Sequence, residues 1–398
     1  MIRTGLALAL IAGAMRPLHA QAPVQVAEGW SITFAGNVNV FTVFTNGRTV
    51  VPGPIDGGRV PVELITRIRT GLLPSIAVVD VKTHEGTVDL GAHFGVGVQI
   101  GNANVHDNLD NGTQAGARID MRQAYLTIGG GWGQVLAGRE LSLYQRENIL
   151  NDMTLFGTGA SGGGLGAPGP TLGRSGFGYI YPNFNAQVTY SSPGSRAWQV
   201  SVGLFDPDLV NGDFATEGAA PTAMPRVEAE ATWHGAVGGA RARLWLNGMH
   251  QGTDAGITAR GLGGGVRLDY GMLGLVASGY VAKGVGSTYA LTTNLGVDAG
   301  GGERTSYGYI AQLTANRSAS PWTFGASFGE SRVRQTAYDV AVSNDDLLRR
   351  NTAVIGMVMY RATRSLRLVA EYTRAVAEAY SGAKARSDQG SAGLLLFF

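Results

Sequence analysis

The stretch that decides the fold begins with RIDMRQAYLTI (Arg118 to Ile128), a run of strand-forming residues. Three glycines, Gly129 to Gly131, separate it from a second run, WGQVLAGRE (Trp132 to Glu140). Two such runs around a tight glycine turn predict a β-hairpin. The segment that follows, to about residue 176, starts with charges and amides and becomes rich in Gly and Pro. Loops of this length are uncommon in compact domains unless they are functional.

The composition around this hairpin favours a large all-β structure. Glycine contributes 61 of 398 residues, roughly twice the ~7% average, and it follows no Gly-X-Y period. Only 15% of residues are charged, against about 25% in typical soluble domains. After the first twenty residues no apolar run approaches the ~18 residues of a membrane-spanning helix. Low charge, abundant glycine and the lack of long apolar runs are typical of a β-barrel with alternating polar and apolar residues.

Residues 1–20 have the pattern of a secretory signal peptide. Arg3 supplies a positive charge, GLALALIAGAM (Gly5 to Met15) is an apolar run, and Ala20 ends a plausible cleavage site. A spanning helix would need about 20 apolar residues, and Arg16 and Pro17 end this run early. We therefore expect export and a mature chain, residues 21–398, that forms a single barrel domain.

Charge and cysteine content limit the classes of partner and the means of stabilisation. The chain has no cysteine, so an exported form needs another source of stability, such as a closed hydrogen-bonded barrel. Its 31 basic and 29 acidic residues nearly balance, which gives no indication of a nucleic-acid partner. Only three basic residues are Lys, and the remainder are Arg, whose charge persists in any environment.

Alternating polar and apolar residues predict sixteen strands along the chain. The predicted strands are Trp30 to Phe44, Pro74 to His84, Thr87 to Gly101, Arg118 to Ile128, Trp132 to Glu140, Phe177 to Ser192, Arg196 to Phe205, Pro225 to His234, Gly239 to His250, Thr258 to Tyr270, Met272 to Lys283, Glu303 to Arg317, Pro321 to Arg334, Asn351 to Arg361, Arg364 to Glu378 and Arg386 to Phe398. Long and short connections alternate throughout. That asymmetry is typical of a transmembrane barrel, with short turns at one end and longer loops at the other.

The side chains on each strand divide by parity into a charged face and an apolar face. Between Arg226 and Trp233, for example, the charged residues Arg226, Glu228 and Glu230 share one face. A charge that faces lipid costs about 2–4 kcal/mol near the midplane, so we expect these charges to face a wet lumen. Aromatic residues near the predicted strand ends suit interfacial girdles. They are Trp30, Trp132, Tyr179, Tyr181, Trp198, Trp322 and Phe324.

With these features the chain resembles the Gram-negative general diffusion porins. The chain ends in GLLLFF, and Phe398 looks like the outer-membrane insertion signal of that family. RQAYLTIGGGWGQVLAGRE is similar to the family's hairpin before its constriction loop, and RENILNDMTLFGTGA lies where that loop should begin. The resemblance implies a 16-stranded antiparallel transmembrane β-barrel in the outer membrane, with a constriction loop (about 140–176) folded into the lumen.

The resemblance also implies a constriction in which acidic loop residues face arginines on the wall. Glu147 and Asp152 are the acidic candidates on the loop. Parity supplies the wall candidates, which are Arg122, Arg139, Arg241, Arg243, Arg267 and Arg367, with Glu371 on the same face as Arg367. Opposed charges across a narrow lumen create a transverse field that sets which ions are favoured.

Several other signals do not support an enzyme or a cofactor site. Gly164, Gly166 and Gly169 fit G-x-G-x-x-G, but a dinucleotide site needs a preceding strand and a following helix. The histidines lack metal-ligand spacing, and no G-x-S-x-G motif marks a nucleophile. The sequence Asn111-Gly112-Thr113 matches a glycosylation acceptor, which in this setting indicates only a loop. No metal or organic cofactor is implied.

These observations predict a porin, a passive channel for small hydrophilic solutes and ions, and not an enzyme. A substrate- or anion-selective channel is the alternative, and an outer-membrane barrel enzyme is a third. Expected partners are two further copies in a homotrimer, which the resemblance alone implies, together with outer-membrane lipid and lipopolysaccharide. The preferred solute, ion selectivity, pore radius and voltage gating are open at this point.

Overall fold

The computed structural model describes residues 23–98, 100, 119–160, 171–210, 219–288, 290–291, 295–317 and 319–398. The expected signal peptide, the Gly164 to Gly169 motif and the Asn111 to Thr113 acceptor lie outside the described residues. None of the described residues belongs to a helix that is long and apolar enough to cross a membrane.

Almost all regular structure is β-strand. The strands are β1 (Val24–Ala27), β2 (Trp30–Val51), β3 (Leu64–Arg69), β4 (Ser75–Glu85), β5 (Val88–Val98), β6 (Ile119–Gly130), β7 (Gly133–Leu141), β8 (Phe184–Ser191), β9 (Trp198–Phe205), β10 (Arg226–Val237), β11 (Ala240–Gly252), β12 (Thr258–Tyr270), β13 (Leu273–Lys283), β14 (Thr305–Ala315), β15 (Trp322–Arg334), β16 (Leu348–Arg361), β17 (Leu366–Ala379) and β18 (Lys384–Phe397). Two short helices are α1 (Arg146–Leu150) and α2 (Ala337–Ala341), and a 3-10 turn covers Met153–Phe156.

The strands form one closed antiparallel barrel. Each strand from β4 to β17 pairs with the next in sequence, β2 pairs with β4, and β18 pairs with β2 to close the ring. The eighteen strands fill sixteen strand positions around the wall. β3 and β4 share one position, because they pair with successive lengths of the same edge of β2. β1 adds no position, because it pairs only with the first residues of β2. The prediction of a sixteen-stranded antiparallel barrel is therefore confirmed. Because the barrel is closed, the backbone groups along each strand edge have partners, whereas an open sheet in a membrane would leave its two edges unpaired.

Two strands were missing from the sequence interpretation, the four-residue β1 and the six-residue β3. Residues 45–73 were expected to form a loop, whereas β2 extends to Val51 and β3 forms at Leu64–Arg69. The hydrogen-bonded wall then breaks at Gly71 to Leu73 and resumes at β4. The Pro and Gly residues just before β3 concealed a short strand whose pairing with β2 depends on a partner distant in sequence.

The two ends of the barrel differ in their connections. Short turns join β4 to β5, β6 to β7 and each later even-odd pair up to β16 and β17, and we call this the turn end. The opposite, loop end carries the longer connections. Gly238 and Gly239 form a two-residue turn between β10 and β11 with φ of 56° and 81°. Glycine suits this turn because both central residues of such a hairpin need positive φ.

The side chains divide between an apolar outer face and a polar inner face. On β17 and β18 the exposed Leu368, Leu394 and Leu396 point outward, whereas the buried Thr373 and Gln389 point inward. Trp132, Trp198 and Trp322 are exposed at the turn end, in agreement with an aromatic girdle. The same expectation was wrong for Tyr179, which is fully buried, and for Tyr181, because both lie in the long connection between β7 and β8.

Candidate functional site

The long connection between β7 and β8 packs against the inner face of the barrel. We call residues 142–183 the inner loop; they are described at 142–160 and 171–183. A strand was expected from Phe177, but β8 begins at Phe184, and Phe177 and Ile180 are fully buried. The inner loop is therefore several residues longer than the sequence indicated.

The first turn of the inner loop binds acidic side chains of β10. The backbone N–H of Tyr144 donates to Oε2 of Glu228 at 2.8 Å, and the guanidinium of Arg146 donates to Glu230. Burial alone would lower the pKa of Arg146, but the charge of Glu230 and the hydrogen bond to it raise that pKa. The alternation of polar and apolar residues predicted that Glu228 and Glu230 lie on the polar face of their strand. Only the structure assigns them the function of holding the loop.

Glu147 of α1 and Arg243 of β11 form a bidentate ion pair. The Nε and Nη2 atoms of Arg243 donate to the two carboxylate oxygens of Glu147 at 2.8 and 2.7 Å. The Glu147 side chain is 1% exposed and the Arg243 side chain is 23% exposed. Glu147 is therefore shielded from solvent, whereas Arg243 is partly in contact with it. Two parallel charge-assisted hydrogen bonds of this kind fix orientation as well as distance.

Amide side chains extend this attachment around the wall. The indole N–H of Trp245 on β11 donates to Oδ1 of Asn148 at 2.6 Å. Further along, Oε1 of Gln312 on β14 accepts from the backbone N–H of Met153, and its Nε2 donates to the carbonyl of Asn151. The loop thus follows the inner face from β10 to β14.

Glu371 on β17 holds the next part of the inner loop. Its Oε2 accepts from the backbone N–H groups of Thr158 and Gly159 at 2.8 and 2.9 Å, and from the Thr158 hydroxyl. Gln389 on β18 donates to the carbonyl of Gly159 at 2.9 Å. Glu371 was assigned to the constriction from the sequence, and in the structure it binds the loop through the backbone of Thr158 and Gly159 and the hydroxyl of Thr158.

The loop also pairs with the wall at the break between β3 and β4. The N–H of Leu72 donates to the carbonyl of Gly157 at 2.8 Å, and that of Leu73 donates to the carbonyl of Leu155 at 3.2 Å. The N–H of Thr171 in turn donates to the carbonyl of Gly71. Backbone groups that the interrupted wall cannot pair are thereby satisfied, as buried groups must be.

Asp152 lies inside the loop. Its carboxylate accepts from the backbone and hydroxyl of Thr154 and, at 2.7 Å, from the hydroxyl of Tyr179. Arg174 is also fully buried, and donates to Ser327 and to the carbonyl of Ala353 on the wall. Burial raises the pKa of Asp152 and lowers that of Arg174. The contacts of Asp152 hold the two ends of the loop together.

The remaining wall arginines of β11, β12 and β17 have different surroundings. The guanidinium of Arg367 lies over the rings of Phe397 and Phe156, 4.9 and 5.4 Å from their centres. Arg267 binds Asp269 on its own strand, and both are partly exposed. Arg241 is exposed and is the register partner of Asp269. Arg241 and Arg267 therefore contribute charge to the described inner surface near the turn end.

Arg122 and Arg139 lie together at a cavity of about 320 Å³. Arg122 is the extra residue of a β-bulge in β6, and its Nη1 donates to the hydroxyl of Tyr181 at 2.9 Å. The cavity is lined by Arg122, Arg139, Tyr181, Asn183, Phe184, Asn185 and Asp208. The structure thus separates this pair from the cluster around Glu147 and Arg243.

The sequence model of the Gram-negative porins matches residues 6–383. No curated protein sequence matches the chain. The outer-membrane channel DcaP of Acinetobacter baumannii is similar in structure, with a TM-score of 0.69 at 15% identity over 95% of this chain and 100% of that one. An anion-selective porin from Comamonas acidovorans gives 0.60 at 12% identity over 93% and 100%. A trimer form of OmpT from Vibrio cholerae gives 0.54 at 14% identity over 93% and 100%.

Proposed function

The chain belongs to the Gram-negative porin family, and we propose that its inner loop sets the constriction of the channel that it forms in the outer membrane. Family and fold make the protein an outer-membrane β-barrel for the passive diffusion of small solutes. They point to a channel rather than an enzyme. In the mature barrel, residues 21–398, we propose that the inner loop and the charged wall that faces it narrow the water-filled path.

The ion pair of Glu147 and Arg243 is the observation that carries this proposal. It fixes α1 to the wall of β11 while leaving the Arg243 side chain partly exposed. Arg241 and the Arg267–Asp269 pair continue the charged surface on β11 and β12. Charged rings of this kind at close quarters set the sign of the ions that a pore favours. Asp152, Arg367 and Glu371 support the constriction by holding the loop in position.

Single-channel recording in a planar bilayer under a salt gradient tests the proposal. Glu147→Gln and Arg243→Gln each remove one half of the ion pair, so we expect larger and noisier conductance steps in both variants. Their reversal potentials should move in opposite directions. Loss of Arg243 should favour cations, and loss of Glu147 should favour anions.

Arg260→Gln is the matched control. Arg260 lies on the neighbouring strand β12 and is the register partner of Lys283 on the outer face. The change therefore removes an equal positive charge at a site that does not contact the inner loop where the structure describes it. Unchanged conductance and reversal potential in both ion-pair variants would sink the constriction proposal. Strong anion selectivity in the wild type, with block by one solute, would favour the anion-selective alternative instead.

We propose further that the barrel assembles as a homotrimer. The support is the family, together with OmpT of Vibrio cholerae, which is described in a trimer form. Conductance steps in groups of three, and a threefold mass in non-denaturing detergent, are the expected results. A barrel that runs as a monomer under those conditions while conducting in single steps would contradict the trimer and leave the channel intact.

A further inference from the structure

The wall of the barrel opens between β6 and β7 near the loop end. The two strands pair from the turn at Gly130 and Gly133 only as far as Ala124 and Arg139. Beyond that point the remaining residues of β6 pair only with β5, and those of β7 pair only with β8. The cavity of about 320 Å³ lies at this separation, because Arg122 of β6 and Arg139 of β7 both line it. We call it the rim cavity.

Two guanidinium groups line the rim cavity. Arg122, the extra residue of the β-bulge, is held by the hydroxyl of Tyr181 at 2.9 Å and by the ring of Phe184, whose centre is 5.4 Å from the guanidinium carbon. Arg139 is exposed and forms no ion pair with any residue that the structure describes. Guanidinium groups bind carboxylates through paired hydrogen bonds, so this pair is suited to one carboxylate.

Three acceptor oxygens line the same cavity. Asp208 binds Arg226 at 2.7 Å through Oδ2, and its Oδ1 has no hydrogen-bond partner among the described residues. Asn183 and Asn185 donate through their side-chain nitrogens to neighbouring oxygens. Within the described part of the chain this leaves their side-chain oxygens without donors. An ammonium group has three donors and no acceptor, which matches these three oxygens.

The charges of the rim cavity favour a ligand that carries both signs. A simple anion would lie beside the carboxylate of Asp208, and a simple cation would lie beside two guanidinium groups. A small zwitterion places a carboxylate and an ammonium group on one molecule and so finds a partner for each. The volume of about 320 Å³ is near the lower end of the ~300–1,000 Å³ that is typical of ligand pockets, which limits the ligand to a small molecule.

We propose that the rim cavity binds small zwitterions of the α-amino acid class. The carboxylate lies at Arg122 and Arg139, and the ammonium group lies at the oxygens of Asp208, Asn183 and Asn185. The longer loops of outer-membrane barrels face the outside, so a solute meets this cavity before it meets the constriction. A role in capturing solutes for the channel rests on the proposed constriction, whereas the binding itself does not.

A ligand-observed NMR titration of the purified full-length barrel tests this binding. The probes are L-alanine, N-acetyl-L-alanine, which lacks the ammonium group, and L-alaninamide, which lacks the carboxylate. We expect L-alanine to bind the wild type and each derivative to bind at least about tenfold more weakly, because charge-assisted hydrogen bonds are lost. Binding of either derivative as tightly as L-alanine would overturn the proposal, since the cavity would then recognise a single charge.

Two variants separate the two halves of the site. Arg139→Gln should weaken L-alanine binding about tenfold and leave the weaker binding of L-alaninamide unchanged, since the amide has no carboxylate. Asp208→Asn should weaken L-alanine binding and leave that of N-acetyl-L-alanine unchanged. The matched controls are Arg196→Gln at the turn end and Asp254→Asn at the loop end, which remove exposed charges and should bind like the wild type.

Arg139→Gln tests the site even if Asp208→Asn fails to fold, because Arg139 has no ion pair in the described part of the chain. An Arg139→Gln variant that binds L-alanine like its control would contradict the proposal. Glu147→Gln and Arg243→Gln should bind L-alanine like the wild type, because both residues lie outside the rim cavity. Failure of the constriction proposal, measured by conductance, is therefore distinguishable from failure of this one.

Discussion

Glu371 on β17 and Thr158 in the inner loop form two hydrogen bonds across a separation of 213 residues. One oxygen, Oε2, accepts from the backbone N–H and from the hydroxyl of Thr158, each at 2.8 Å. The same oxygen accepts from the N–H of Gly159 at 2.9 Å. A single wall carboxylate therefore holds a loop segment through two backbone N–H groups and one side-chain hydroxyl.

Replacement of Glu371 by Ala should release this segment. Three buried donors lose their acceptor, at a cost of about 1–3 kcal/mol per unsatisfied group. We expect noisier conductance than in the wild type. On gels, the folded, fast-migrating form of the variant should be lost at a lower temperature than that of the wild type. Glu371→Gln, which keeps one carbonyl oxygen, should recover part of both properties.

The control for Glu371 is Glu378→Gln on the same strand. Glu378 binds Arg350 and Lys384 on the outer face and makes no contact with the described part of the inner loop. An Ala variant of Glu371 that conducts like this control would show that the carboxylate does not hold the loop.

Gly157→Ala should disturb the same anchor by steric means. A Cβ at Gly157 would lie 1.8 Å from Oε1 of Glu371, although its φ of −131° is accessible to alanine. We expect thermal destabilisation and altered conductance steps. Gly356→Ala on β16 is the control, because nothing lies within 4 Å of its added Cβ. Equal melting temperatures of the two variants would indicate that the loop accommodates the added methyl group without loss of stability.

Asp339 at the loop end should stabilise the barrel in a pH-dependent manner. It binds the buried Arg304 through both carboxylate oxygens. Burial would raise the pKa of Asp339, but hydrogen bonds from Arg304, Thr336 and Asn344 outweigh it and lower that pKa well below its usual value. Because the unfolded value is about 3.9, the contribution is complete above roughly pH 5 and is lost as pH falls through the folded pKa.

Asp339→Asn is therefore expected to destabilise the barrel by about 3 kcal/mol at pH 7, since it removes the carboxylate charge that the buried guanidinium of Arg304 binds. The difference from wild type should begin to shrink below about pH 4, where the unfolded carboxylate takes up a proton while the native carboxylate is still charged, and should keep shrinking as pH falls towards the lowered folded pKa. Thermal unfolding of both proteins from pH 2 to 8 measures this. A constant difference across the range would rule out titration of Asp339 as its source.

Val354→Arg tests the assignment of the outer face. Val354 is exposed on β16 and follows the outward parity of Gly356, whereas Ala353 and Ile355 are buried. A charge there should cost about 2–4 kcal/mol if it lies near the middle of the apolar band. Folding titrations in phospholipid vesicles measure the change, with Val354→Leu as control. An arginine variant as stable as the leucine variant would contradict the assignment.

The strand pattern followed directly from local alternation. Arg226, Glu228 and Glu230 repeat every second residue, and the register of β10 with β11 agrees with that period. β3 was missed because Leu64 to Arg69 lies beside a Pro- and Gly-rich segment and pairs with β2 over a long separation. Tyr179 was misassigned to a girdle because sequence does not distinguish a lipid-facing tyrosine from one that binds Asp152.

The sequence by itself determined the barrel and its strand number, because a two-residue period and alternating connection lengths are local properties of the chain. It misplaced Arg139, which the register puts on the outer face with Ala124 and the exposed Phe94. It also supplied Glu147 and Arg243, but not their contact, which joins residues 96 positions apart. Only the tertiary structure decided that Asp152 is buried, that Glu371 binds the inner loop and that the wall opens between β6 and β7. Those relationships depend on strand register and on the path of the inner loop, which emerge only when the barrel closes.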